Sequence, residues 1–258
     1  MQERHNNRRR YFEELAETCE KYFIPYIKRW HEVAPGMRIL EVGCGEGGNL
    51  LPFSKMGCDV TGVDIASCRI EEAKRFFAER QARGKFIAED FLKIERLESQ
   101  YDIVICHDVF EHINGKDRFL SHISSFLKKD GIIFMSFPAW QMPFGGHQQI
   151  CRNKILSHIP FVHLLPKVLY RGIIRLAGES DDCLNELFSI RQSQITIEAF
   201  ERLVSHTGLK IQDRTLYFIN PHYNVKFGLT PRRLSSLISS IPYLRNFFSS
   251  SCFYILGE

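Results

Sequence analysis

Apolar and polar residues alternate along this chain in two distinct rhythms. Over residues 11–33 the spacing of Phe12, Leu15, Cys19, Tyr22 and Phe23 is helical, with Pro25 interrupting it. Pro35-Gly36 punctuates, and short apolar runs then alternate with amphipathic ones. The runs at 37–42, 59–63, 85–88, 101–106 and 131–137 predict strands, and the stretches at 47–56, 67–82 and 116–128 predict helices. Such alternation implies an α/β fold with a parallel sheet and right-handed crossovers. After Pro138 the rhythm breaks. Residues 139–194 lack alternation and are expected to be helices and loops inserted beyond the fifth strand. Thr196 is placed to cap a helix over 197–207, with Glu198 in its first turn and Gly208 at its end. A strand at 209–219, a second insertion at 221–249 and a final strand at 252–256 complete the pattern. The expected organisation is an N-terminal helical segment, 1–34, and one domain, 35–258, whose two insertions cap the substrate side.

Composition adds limits. At 258 residues, 44% hydrophobic and 25% charged, the chain has the make-up of a globular domain with a real core. The net charge of +4 is too small to argue for nucleic acid. None of the eight cysteines has CxxC spacing, and several, such as Cys106, fall in apolar runs. That predicts buried thiols in a reducing compartment, with neither a disulfide framework nor a zinc site. The stretch from Gln2 to Arg10 is polar and basic, unlike a signal peptide, and no run of 18 apolar residues exists. A cytoplasmic location is expected.

The most informative local signal is ILEVGCGEGGNLLPF at 39–53, where a strand ends at Val42, glycines follow at 43, 45, 47 and 48, and a helix begins. Glycine suits a tight turn and lets a ligand approach the main chain without a Cβ in the way. Gly43, Gly45 and Gly48 satisfy the dinucleotide fingerprint, with Asp64 at the end of the next strand, so an NAD-dependent oxidoreductase is one reading. Glu41 argues against it. A carboxylate two residues before the first glycine is a poor neighbour for a pyrophosphate and a good one for an ammonium.

Glu41-Val42-Gly43-Cys44-Gly45-Glu46-Gly47 resembles the E/DxGxGxG motif of class I S-adenosylmethionine-dependent methyltransferases. Further segments resemble that family in chain order: VTGVDIA, FIAEDF, YDIVICHDVFEHI and LKKDGIIFMSFP. The resemblance is close over about 35–138 and holds only in outline over 196–258. It implies a Rossmann-like three-layer sandwich with a mostly parallel seven-stranded sheet, order 3-2-1-4-5-7-6, the last strand antiparallel. It implies S-adenosylmethionine as cofactor, held by the loop residues Glu41, Gly43, Cys44 and Gly45. Asp64 would take the ribose hydroxyls and Ile65 would lie beside the adenine. Asp90 would accept from the adenine amine with Phe91 closing over its edge, and the backbone at Cys106 and His107 would line the methionine end. A protein that binds the cofactor without catalysis is a further reading. The NPPY-type tetrapeptide of enzymes that methylate amino groups of nucleic acids is missing, since Cys106-His107-Asp108-Val109 stands in its place.

Methyl transfer from a sulfonium needs alignment, and an oxygen acceptor also needs a base. His147, in the loop after the fifth strand, and His112, after the fourth, are the candidates, with His158, His163 and His222 weaker ones. No HxxxH with a carboxylate at metal-binding spacing occurs, so no metal is expected. Residues 151–178 and 214–257 hold 10 of the 34 basic residues and none of the 30 acidic ones. Lys167, Arg171 and Arg175 form one stripe of a helix whose other positions include Val168, Leu169, Ile173, Ile174 and Leu176. A basic, apolar rim fits a small or lipid-linked acceptor, methylated at oxygen, and peripheral contact with a membrane.

Overall fold

The computed structural model describes residues 7–97 and 100–257; residues 2–6 of the basic N-terminal stretch lie outside them. The strand-forming runs assemble into one sheet. Its strands are β1 (Arg38–Val42), β2 (Asp59–Asp64), β3 (Lys85–Ala88), β4 (Tyr101–His107), β5 (Leu127–Phe137), β6 (Lys210–Ile219), β7 (Arg232–Arg233) and β8 (Ser251–Gly257). Their order is β3-β2-β1-β4-β5-β8-β6-β7. The first five pair in parallel, and β8 enters antiparallel between β5 and β6. The seven long strands thus keep the expected order. The correction is the eighth strand, β7, a two-residue exposed edge on β6 that is too short to show any alternation.

Both faces of the sheet are covered, so neighbouring residues of one strand serve opposite cores. Leu40, Val104, Met135 and Tyr254 join one core; Ile39, Ile103, Phe134 and Phe253 join the other. On the second face lie α1 (Arg8–Thr18), a π-helical turn (Cys19–Phe23) and α2 (Ile24–Ile27), with Pro25 at the start of α2. Proline offers no N–H and crowds the preceding turn, and the wider turn before it absorbs the misfit without ending the helix. Phe12 and Phe23 of this segment are fully buried, Phe12 against Phe76 and Phe77. The N-terminal segment is therefore part of the domain's core.

Three helices are shorter than their patterns predict: α3 (Leu50–Lys55), α4 (Ser67–Glu79) and α5 (Lys116–Ser124). Residues before α3 are spent on the glycine turns. Beyond α5, Leu127 already pairs with Tyr101 across an irregularity, so LKKDG belongs to β5.

In the first insertion, 3-10 turns lead to α6 (Lys167–Leu176) and α7 (Asp181–Ser193), which share a small core of their own around Tyr170, Ile174 and Leu187. Thr196 caps α8 (Ile197–Ser205) as expected, its hydroxyl accepting from Ala199 N at 3.0 Å. The second insertion divides in two. Its first helix, α9 (His222–Phe227), meets α1 through His222 and Thr18. Its end is anchored to α8, where buried Arg245 pairs with Glu198 and Glu201, each at 2.9 Å. Among the described residues no helix is long and apolar enough to cross a membrane.

Candidate functional site

The carboxyl ends of β1, β2 and β4 converge on the glycine loop. Gly43 takes φ +74°, and a Cβ there would stand 2.3 Å from Val109 Cγ2, so no other residue fits. Gly45, at φ +51°, differs: a Cβ on it would meet nothing nearer than Arg69 at 3.8 Å, leaving open space along the main chain. Gly45 N donates to Asp64 Oδ2 at 2.8 Å, and Ala66 N donates to Asp64 Oδ1 at 2.8 Å. Each carboxylate oxygen keeps a second lone pair. Ile65, 75% exposed, stands on the rim beside them.

Glu41 is buried beneath this loop. Its Oε1 accepts from Asn49 Nδ2 at 2.7 Å, while Oε2 is buried with no partner. Burial pushes its carboxyl up to about 8; the bond from Asn49 opposes the rise and the Asp64 charge adds to it. A buried acid with an orphaned oxygen asks for a cation or a donor.

The remaining residues expected at the cofactor separate by environment. Asp90, half-buried, caps the turn after β3 by accepting from Leu92 N at 3.1 Å. Phe91 is buried, with its ring against those of Phe119, Phe126 and His122. The side chains of Cys44 and Cys106 are buried, so only their main chain can face a ligand. His107 is buried, with its ring 4.8 Å from that of Phe23.

After β4 the chain forms a second cluster. Asp108 takes φ +51° and His147 φ +57°, both strained for residues with a Cβ. The rings of His112 and His147 stand 4.9 Å apart in a T, so both candidate bases meet although 35 positions separate them. Glu111 lies beneath them, buried, with neither oxygen hydrogen-bonded and His112 Nε2 3.8 Å from Oε1. Burial, reinforced by Asp108, holds Glu111 well above the usual carboxylate range. Burial also lowers His112, against the pull of Asp108, and lowers Lys116 to about 8. Glu111, His112 and His147 bring ligand atoms within 4.8 Å of one another, a donor set for a divalent cation that spacing along the chain concealed.

Other residues were not anticipated. Tyr11, on α1, is raised by burial and by the charges of Asp108, Glu46 and Glu41. Tyr223, on α9, is raised by burial and by Asp108. Arg8 pairs with Glu46 of the glycine loop at 2.8 Å, so α1 covers the loop. Only the aromatic residues in an otherwise polar N-terminal stretch hinted at this. Of the weaker histidine candidates, His163 is a core residue that contacts Trp140 O at 2.8 Å, and burial lowers it to about 4. His222 Nδ1 lies 2.9 Å from Thr18 Oγ1, and His158 Nδ1 lies 2.7 Å from Lys154 O.

Known proteins agree with this arrangement. Residues 39–131 match the family profile of a methyltransferase domain. A ubiquinone biosynthesis O-methyltransferase of Rickettsia typhi is 30% identical over 118 residues, 45% of this chain and 47% of that one. One from Bartonella bacilliformis is 28% identical over 145 residues, 54% and 58% respectively. The chain spans about half the length of the curated relatives it matches. Among solved structures, a putative sarcosine dimethylglycine methyltransferase from Galdieria sulphuraria superimposes with a TM-score of 0.60 at 13% identity, covering 92% of this chain and 83% of its own. Magnesium protoporphyrin IX methyltransferase from Synechocystis, crystallised with S-adenosylhomocysteine, gives 0.53 at 16% identity, covering 94% and 82%. These structures share the fold. Residues 39–131 are thus similar to a methyltransferase domain, and the glycine loop with Glu41 and Asp64 at the ends of β1 and β2 stands where the resemblance to class I S-adenosylmethionine-dependent methyltransferases puts the cofactor.

Proposed function

We propose that this chain transfers a methyl group from S-adenosylmethionine to an oxygen of a small or lipid-linked acceptor of the kind handled in ubiquinone biosynthesis. The observation that carries the reading is the meeting of His112 and His147, 4.9 Å apart, on the turns that follow β4 and β5 at the carboxyl edge of the sheet. The buried orphan Oε2 of Glu41 fits an ammonium, and the open flank of Gly45 fits a ligand lying along the main chain. When bound, the cofactor supplies a methyl group already activated by its sulfonium. Asp64 holds the loop in shape and offers its remaining lone pairs to a diol, and Ile65 offers an apolar shelf for a flat ring.

His147 takes the acceptor's proton as the new oxygen–carbon bond forms, and His112, kept neutral by burial, orients it. The test is mass-spectrometric detection of methyl transfer to phenolic acceptors with and without a prenyl tail. A His147→Ala variant that binds cofactor normally yet transfers methyl at the wild-type rate refutes the assignment of the base.

A second reading is favoured by the two partnerless oxygens of Glu111: Glu111, His112 and His147 hold a divalent cation that polarises the acceptor oxygen. Chelator-treated protein separates the two. Activity that survives chelation supports the base, and activity restored only by added metal supports the cation.

The lipid-linked acceptor rests on the surface of the first insertion. Helix α6 buries Tyr170 and Ile174 but leaves Val168 82% and Leu176 91% exposed, with Lys167, Arg171 and Arg175 exposed on the same helix. Packing accounts for Tyr170 and Ile174 but not for Val168 and Leu176, whose exposure supports a lipid surface as their partner.

A further inference from the structure

The thiols of the first insertion take no part in the site above. Cys151 follows the 3-10 turn Gln148–Ile150, and Cys183 lies in the first turn of α7. Their sulfurs are 4.0 Å apart, and a Glu179 oxygen falls within 4.8 Å of both. Glu179 Oε1 accepts from Asn153 N at 2.7 Å, which fixes the carboxylate and leaves its second oxygen available. Tyr170 belongs to the same small core as Cys151 and Cys183 and is fully buried, with its hydroxyl unpartnered. A buried hydroxyl without a partner is costly, and here it marks a gap in a polar cluster inside an apolar core.

We propose that Cys151, Cys183 and Glu179 form a zinc site, with the Tyr170 hydroxyl or a water at the fourth position. Two thiolates on one tetrahedral zinc, each at about 2.3 Å, stand about 3.8 Å apart, close to the sulfur separation found here. A disulfide would leave Glu179 and Tyr170 without a role, whereas a thiophilic cation uses all four groups. Sequence spacing concealed the site because the donors come from two arms of the insertion, 28 and 4 positions apart. Its consequence is mechanical. The insertion has only a small core, and small cores need staples. Cys151 lies four residues beyond His147, and the far end of α7 accepts from Lys116 Nζ through Ser193 O, close to Glu111. Zinc would thus pin the loop carrying His147 to the helix that braces the neighbouring cluster. Binding releases the two thiol protons to solvent and involves no redox change.

The probe is cobalt(II), titrated into reduced, chelator-treated full-length protein. The expected result is a sulfur-to-cobalt charge-transfer band that saturates at one equivalent of cobalt, with intense visible bands of tetrahedral geometry. Cys183→Ser and Cys151→Ser remove the charge-transfer band, while Cys68→Ser, at an exposed thiol, leaves it intact. Glu179→Gln keeps the bond from Asn153 and weakens cobalt binding about tenfold or more. Zinc raises the thermal unfolding midpoint of the wild type more than that of Glu179→Gln at the same zinc concentration, a readout that stands even if the cysteine variants fold poorly. The absence of a charge-transfer band in the wild type overturns the proposal. So does its survival in Cys183→Ser, or peptide mapping that finds Cys151 and Cys183 joined as a disulfide in protein to which zinc adds no stability. Neither outcome depends on methyl transfer.

Discussion

Glu41 makes cofactor affinity a function of pH. Its carboxyl sits at about 8 because burial disfavours the charge, so near neutrality most molecules carry it protonated. An ammonium beside Oε2 needs the carboxylate. Ionising it at pH 7 costs about 1.4 kcal/mol, the difference of one pH unit. That cost shrinks as the pH rises toward 8, and the affinity for S-adenosylhomocysteine is expected to increase about eightfold between pH 6.5 and 7.5. The sign for stability is opposite. A carboxyl raised in the fold contributes stability that is fully present below 4.5 and is lost as pH rises to about 8, so ligand should protect the fold most at the alkaline end. The assay is calorimetric titration across that window, with 5′-methylthioadenosine, which lacks the amino acid, as the control. Glu41→Gln preserves the bond from Asn49 and should bind with no slope in this range. An equal slope in the variant, or wild-type affinity that falls as pH rises, would refute the role given to Glu41.

Other outcomes follow from the same geometry. Asp64→Ala should weaken cofactor binding by about 1.5–3 kcal/mol, the range for bonds to a charged group, because it also releases Gly45 N; calorimetry at fixed pH measures it. Gly43→Ala should abolish binding and lower the unfolding midpoint, since the methyl meets Val109 at 2.3 Å in a left-handed turn; a variant with wild-type affinity would show that the loop is not held as described. His163, lowered to about 4 by burial, contributes stability present above pH 6.5 that is lost as pH falls through 4, about 3 kcal/mol in all, and His163→Gln should flatten that slope in urea titrations. Changing Lys167, Arg171 and Arg175 together to Glu should abolish co-sedimentation with phosphatidylglycerol vesicles, since each basic residue near an anionic surface is worth about 1 kcal/mol. Equal, negligible binding of wild type and variant would remove the membrane from the reading.

The sheet was legible because its signals are local and dense. Five apolar runs with amphipathic stretches between them leave little choice of architecture, and the glycine loop names the edge where ligands bind. What escaped came from long range or from a competing use of the same residues. LKKDG reads as the end of a helix until Leu127 finds Tyr101 across the sheet. The meeting of His112 with His147 depends on strained turns at Asp108 and His147 that no propensity predicts. Tyr11 belongs to a helix whose apolar spacing says only that it packs somewhere. Asp90 and Phe91 were placed by resemblance, and in the fold Asp90 also caps the turn after β3 while Phe91 also packs in the core.

The insertion of β8 between β5 and β6 sets a timetable for synthesis. Strands β5 and β6 are synthesised before residues 251–257, and each must wait with an unpaired edge. Partner residues such as Phe134 and Ile255 are separated by 121 positions, so the closing step is non-local and slow compared with the helices that flank it. Until then the nascent chain displays two half-built ledges of apolar sequence, the surfaces on which holding chaperones act and along which neighbouring chains can join. A mutation in β8 such as Phe253→Ser would therefore be felt first as poor yield from translation, before any measurement of the folded molecule could register it.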